Sequence, residues 1–107
     1  MTLVQGNINI DLGSLLQELR ISAQNVSFND RWVDGGRFIS IQSGGVVYAL
    51  FNHPTSPHSA TARVVRPTCT VPKVIRQAKS IVPPGLWAVA YIKSGFFGVD
   101  QTFYDFW

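Results

Sequence analysis

Between Asp11 and Ile21 the apolar residues Leu12, Leu15, Leu16 and Leu19 fall at i, i+3, i+4 and i+7, the spacing of one face of a short helix. Asp11 stands where an N-cap belongs, while Gly13 weakens the first turn. The polar face carries one Glu and one Arg rather than a basic stripe, so the pattern predicts a helix docked on a core, not on a membrane. Beyond Ser22 the period changes to two. Ser22 to Asn29 alternates Ala23, Asn25 and Ser27 with Gln24, Val26 and Phe28, which suits a strand or an extended segment.

Asp34-Gly35-Gly36 signals a hairpin between Arg31-Trp32-Val33 and a strand over Arg37 to Gln42, and Ser43-Gly44-Gly45 marks a second turn. Val46 to Phe51 and His58 to Val65 are further strands, separated by a loop that the two prolines of Asn52 to Pro57 enforce. Pro67 to Pro84 holds four of the six prolines, and it reads as a long irregular or edge segment with Val74, Ile75, Ile81 and Val82 in short strand pieces. Leu86 to Lys93 and Thr102 to Trp107 are expected to form a final pair joined by a loop around Ser94, Gly95 and Gly98. Phe103, Tyr104, Phe106 and Trp107 end the chain on aromatics, expected to pack as a closing strand, with some of the alternating set facing outward as a dimer patch.

Short strands at this spacing predict a mainly β fold, an antiparallel β-sandwich of short strands with a short N-terminal helix. Residues 1–30 are read as an N-terminal helical extension and residues 31–107 as the sandwich domain. A chain of 107 residues, 46% hydrophobic, fits one core, and its 14% of charged residues lies well below the roughly 25% usual for soluble proteins. Cys69 is the only cysteine, which rules out an intrachain disulfide and reads as a small hydrophobe. No basic, apolar leader follows Met1 and no segment is apolar enough to span a membrane as a helix.

The six acids are Asp11, Glu18, Asp30, Asp34, Asp100 and Asp105, so the stretch from Asp34 to Asp100 contains none between them. It holds Arg37, Arg63, Arg66, Lys73, Arg76, Lys79 and Lys93, a block suited either to an anionic ligand or to a solvated face. His53 and His58 bracket a loop, with Ser59 and Cys69 downstream, yet no acid follows within forty residues and no nucleophile elbow is present. Two histidines and a cysteine also fall short of a closed zinc site. They are read as a ligand rim or as hydrogen bonds that close the loop, with no catalytic residue, metal or cofactor expected. Nucleic acid is disfavoured: the cations and aromatics are there, but a recognition helix and an RNP pattern are missing.

Four motifs, Tyr48-Ala49-Leu50-Phe51, His58-Ser59-Ala60-Thr61, Gly85-Leu86-Trp87-Ala88 and Phe103-Tyr104-Asp105-Phe106-Trp107, resemble those of the lactococcin 972 family of bacteriocins. The resemblance covers Tyr48 to Trp107 with a divergent middle segment. Phe51 stands where the family has Tyr, and residues 1–29 have no counterpart in its mature pattern. The resemblance implies a secreted antibacterial β-sandwich, its signal peptide not present in this chain. It further implies binding of lipid II, or another anionic cell-envelope glycolipid, and a block of septum and peptidoglycan assembly without covalent catalysis.

A pyrophosphate with a sugar head group calls for Arg forks and exposed aromatics. Arg63, Arg66 and Arg76 are therefore the candidate phosphate contacts, and Tyr48, His53 and His58 the candidate rim. The alternative is a non-toxic carbohydrate- or protein-binding β-sandwich module, since Pro83 to Gly98 is similar to a crystallin strand pattern.

Overall fold

Two glycine-bearing turns fold the middle of the chain into a meander. In the computed structural model, which describes residues 6–22, 24–66, 71, 73–94 and 98–107, β1 (Ser27–Val33), β2 (Gly36–Ser43) and β3 (Val46–Asn52) are successive antiparallel neighbours. Each turn has two residues, Asp34-Gly35 and Gly44-Gly45, and all four have positive φ, from 51° to 83°. That left-handed geometry matches the twist of the flanking strands, which is why glycine dominates there. β6 (Trp87–Lys93) joins β3, completing a sheet of order β1-β2-β3-β6. β4 (His58–Arg66) lies between β5 (Lys73–Val82) and β7 (Val99–Phe106) in a second sheet of order β5-β4-β7.

The sheets close over a core of rings and alanines. From the four-stranded sheet come Phe38, Val47, Ala49, Phe51, Ala88 and Ala90; Ala60 and Ala62 face them from β4. The alanine rows let the sheets approach, and the rings fill one end. Phe51 is fully buried, 4.7 Å from the Tyr104 ring, 5.4 Å from His58 and 6.2 Å from Phe38. The other face of the four-stranded sheet is covered by α1 (Leu12–Glu18), whose cap Asp11 accepts from the Ser14 amide and hydroxyl. Leu15, Leu16 and Ile21 pack there on Ile39, Ile41, Leu50 and Trp87. The expected helix is thus present, shorter at its C-terminal end, and docked on a core. Among the described residues no helix is long and apolar enough to cross a membrane.

Three expectations change. The proline-rich stretch contains one continuous ten-residue edge strand, β5, in place of short pieces. Its register shifts opposite Val64 and Val65, and it carries Lys73, Arg76 and Lys79; a bulge and a row of cations are devices that blunt an edge strand. Second, β6 and β7 are not a pair: β6 bonds to β3 and β7 to β4, so they lie in different sheets. Third, Trp107 lies past the strand with 59% of its surface exposed, while its amide donates to the Pro57 carbonyl. Cys69, Pro67 and Gly95 lie outside the described residues.

Candidate functional site

The register places the polar residues of the three-stranded sheet in rows on its outer face. Because side chains alternate along a strand, the burial of His58, Ala60, Ala62 and Val64 in β4 sends Ser59, Thr61 and Arg63 outward. Opposite Ser59 stand Ile81 and Asp105; opposite Thr61, Lys79 and Phe103; opposite Arg63, Gln77 and Gln101. These rows border a shallow depression of about 300 Å³.

Arg63 is held in place there. Its Nε donates to Gln101 Oε1 at 2.9 Å, and its guanidinium carbon lies 4.4 Å from the centre of the Phe103 ring. Its two terminal nitrogens have no partner among the described residues, so an oriented fork faces the solvent. Phe103, 40% exposed, offers a ring face beside it, with the Lys79 ammonium and Asp105 carboxylate on the flanking strands. The site mixes planar donors, hydroxyls, one ring and charges of both signs.

The other candidates lie elsewhere. Arg66 is exposed at the end of β4 opposite Lys73, and Arg76 NH1 donates to the Lys93 carbonyl at 3.1 Å across to β6. Tyr48 is on the helix-bearing face of the other sheet, its ring 5.8 Å from that of Tyr91. The structure therefore does not bring the six together. Lys79, Phe103, Gln101 and Asp105 lie beside Arg63 instead, joined by a strand pairing that no local motif announces.

His53 and His58 are buried at one end of the sandwich, their rings 6.5 Å apart. His53 Nδ1 accepts from the Thr55 and Ser56 amides, so Nε2 carries the proton donated to the Asp34 carbonyl at 3.0 Å. His58 Nδ1 lies 2.8 Å from the Ser56 carbonyl and Nε2 2.7 Å from that of Leu86. Every ring nitrogen thus has a main-chain partner, and Phe106 stacks on His53 at 5.0 Å. These side chains close the Asn52 to Pro57 loop. Among the described residues no group of three or more His, Cys, Asp or Glu is placed to hold a metal ion.

Arg37 leaves the cationic block altogether, forming a fork on Asp30 with contacts of 2.9 and 2.6 Å. A polar seam joins β7 to β2: Ser40 meets Thr102 at 2.6 Å, and Asp100 accepts from Gln42 and Ser94. These groups satisfy one another, apart from the buried Asp100 Oδ1. A larger depression of about 430 Å³ on the polar side of α1 is lined by Ser14, Gln17, Glu18 and Arg20 and has no ring for a sugar or base to rest on.

At the ring-filled end, the Tyr104 hydroxyl donates to Asp34 Oδ2 at 2.7 Å, and chiefly this bond holds its pKa above the ordinary phenol value. Tyr48 is raised as well, by burial and then by Tyr91. A pKa raised on folding means that the Tyr104 contribution is complete below the unfolded value near 10 and fades as pH climbs through the folded one. Ultraviolet titration is therefore expected to show Tyr104 ionising at higher pH than a free tyrosine. Asp34→Asn should bring that transition down; an unmoved transition would mean that the bond does not set it.

No protein family matches the sequence, and no curated protein matches it. Among solved structures, Lactococcin 972 is similar over 78% of this chain and 100% of its own, at 19% identity and a TM-score of 0.44.

Proposed function

We propose that this chain is a non-enzymatic antibacterial protein that acts outside the cell by binding lipid II, with the outer face of the three-stranded sheet as its contact surface. The observation that carries the proposal is Arg63, seated on Phe103 and tethered to Gln101, with no partner for its terminal N–H groups among the described residues. A guanidinium so oriented loses little freedom when it grips a phosphate oxygen pair, and Lys79 adds a second cation one row away. The Phe103 ring and the Thr61 hydroxyl offer an apolar surface and a hydrogen bond to a sugar. The resemblance of the sequence motifs to the lactococcin 972 family implies the same ligand class. No covalent step is required, and both histidines are already engaged with main chain.

Titration into bilayers with and without lipid II, read by calorimetry or surface plasmon resonance, tests this directly. Saturable, lipid II-dependent binding is expected, and Arg63→Ala should weaken it about tenfold or more, the scale of a lost charge-assisted hydrogen bond. Binding no stronger than to empty bilayers would overturn the proposal. Asp105 favours a second reading, a neutral glycan module, because a carboxylate repels phosphate but accepts from sugar hydroxyls. Binding to soluble glycans that survives Arg63→Ala but is lost in Asp105→Ala would select it.

A further inference from the structure

The end of the sandwich where β4 finishes and β5 begins gathers cations that no acid answers. Arg66 and Lys73 are direct cross-strand partners there, both exposed, a like-charged pairing that costs stability unless an anion lies between them. Arg76, opposite Val64 on β5, reaches across to β6 with NH1 on the Lys93 carbonyl at 3.1 Å, which brings two more exposed cations, Arg76 and Lys93, to the same end. Residues 67–72, between β4 and β5, include no Asp or Glu. Asp100, opposite Val64 on β7, accepts from Gln42 and Ser94 instead. Among the described residues the one ion pair is Arg37 with Asp30, in the other sheet.

Aliphatic side chains stand among these charges. Val74, Val65 and Val99 form one cross-strand row through β5, β4 and β7, next to Arg66 and Lys73; the central valine is buried, while the outer two are 44% and 47% exposed. Ile75, which the β5 bulge leaves unpaired, is 37% exposed, and Val71 is exposed as well. Uncovered aliphatics grouped among cations do not serve solubility, and a soluble polyanion would leave them in water. An anionic bilayer uses both: ammonium and guanidinium heads meet the lipid phosphates, while their stems and the aliphatics lie against the acyl boundary.

We infer that this end of the sandwich, with Arg66, Lys73, Arg76 and Lys93 around Val74 and Val99, docks on a bilayer that carries anionic lipid headgroups. The surface is distinct from the Arg63 depression, and docking there does not require lipid II. Arg63 precedes Arg66 by three residues on β4, so a docked molecule holds it within about 10 Å of the headgroups at the rise of a strand.

Sedimentation of the full chain with vesicles free of lipid II tests this. Phosphatidylcholine vesicles should retain little protein, replacement of about a third of the lipid by phosphatidylglycerol should raise binding about tenfold or more, and about 0.5 M salt should reverse most of the gain. Lys73→Gln should weaken partitioning about fivefold, whereas Arg31→Gln, the same loss of charge on β1 near the Asp34 turn at the opposite end, should change it less than about twofold. Val74→Ser should weaken it about threefold with the charge unchanged. Lys73→Gln removes a like-charged partner, so its urea midpoint should not fall and its loss of binding is not a loss of fold. Equal retention by the two vesicle types, none included, would overturn the inference, as would equal effects of Lys73→Gln and Arg31→Gln. Undiminished binding of Val74→Ser would overturn it too, since adsorption by charge alone would then account for the result.

Discussion

Phe51→Ala is expected to lower the unfolding free energy by about 3–5 kcal/mol, the range for deleting a fully buried ring whose surroundings cannot collapse into the space. The surroundings here are unusually fixed. Tyr104, Phe38 and His58 touch the ring from three sides, and a Cβ at Gly36 would fall 2.8 Å from it, so the ring lies directly on the β2 main chain. His58 cannot swing inward without abandoning the Ser56 and Leu86 carbonyls. Urea denaturation with an unchanged slope should register the loss as a lower midpoint. Phe103→Ala, at an exposed ring, should cost less than about 1 kcal/mol. Equal losses at the two positions would show that the sandwich is not organised around Phe51.

Arg37→Ala should cost about 3 kcal/mol. Arg37 is 7% exposed, and its guanidinium serves three partners at once, the Asp30 carboxylate and two carbonyls of the N-terminal segment. Its removal leaves a mostly covered carboxylate unpaired, and the penalty of that stranded charge exceeds the net worth of the pair. Arg37→Lys should recover only part of the loss, because an ammonium cannot reproduce the planar fork. Amide hydrogen exchange would locate the damage: faster exchange in α1 and at Ile10 with the sheets unaffected is the expected pattern. Uniform acceleration would instead mean that Arg37 supports the whole fold.

What the sequence revealed depended on how local each determinant was. The two tight turns were legible because positive φ at both central residues demands Gly or Asp, and Asp34-Gly35 and Gly44-Gly45 supply them. The helix was legible from its leucine spacing and its Asp11 cap. β5 was legible only as an edge segment with short strand pieces, because prolines at both ends and a polar face hid its continuity. The separation of β6 from β7 was hidden too, since proximity in sequence suggests a hairpin and only packing assigns them to different sheets. At the candidate site, Arg63 stood out as a cation, but the Gln101 and Phe103 that hold it come from a distant strand. Arg37 belonged to the same run of cations and turned out to be a buried clamp. Charge counting cannot distinguish the two, because burial is a property of the neighbours.

The position of β4 also governs the order of assembly. Every strand that pairs with it lies later in the chain, and His58 meets Phe106 from forty-eight residues away, whereas β1, β2 and β3 need only two-residue loops. Loop-closure entropy therefore favours the meander as the first structure to form and the three-stranded sheet as the last. Until β7 arrives, β4 has an open edge. Refolding should be slow for a chain of this length, in the range of milliseconds to seconds, with its late phase slowed by substitutions in β7 and largely indifferent to those in the first hairpin.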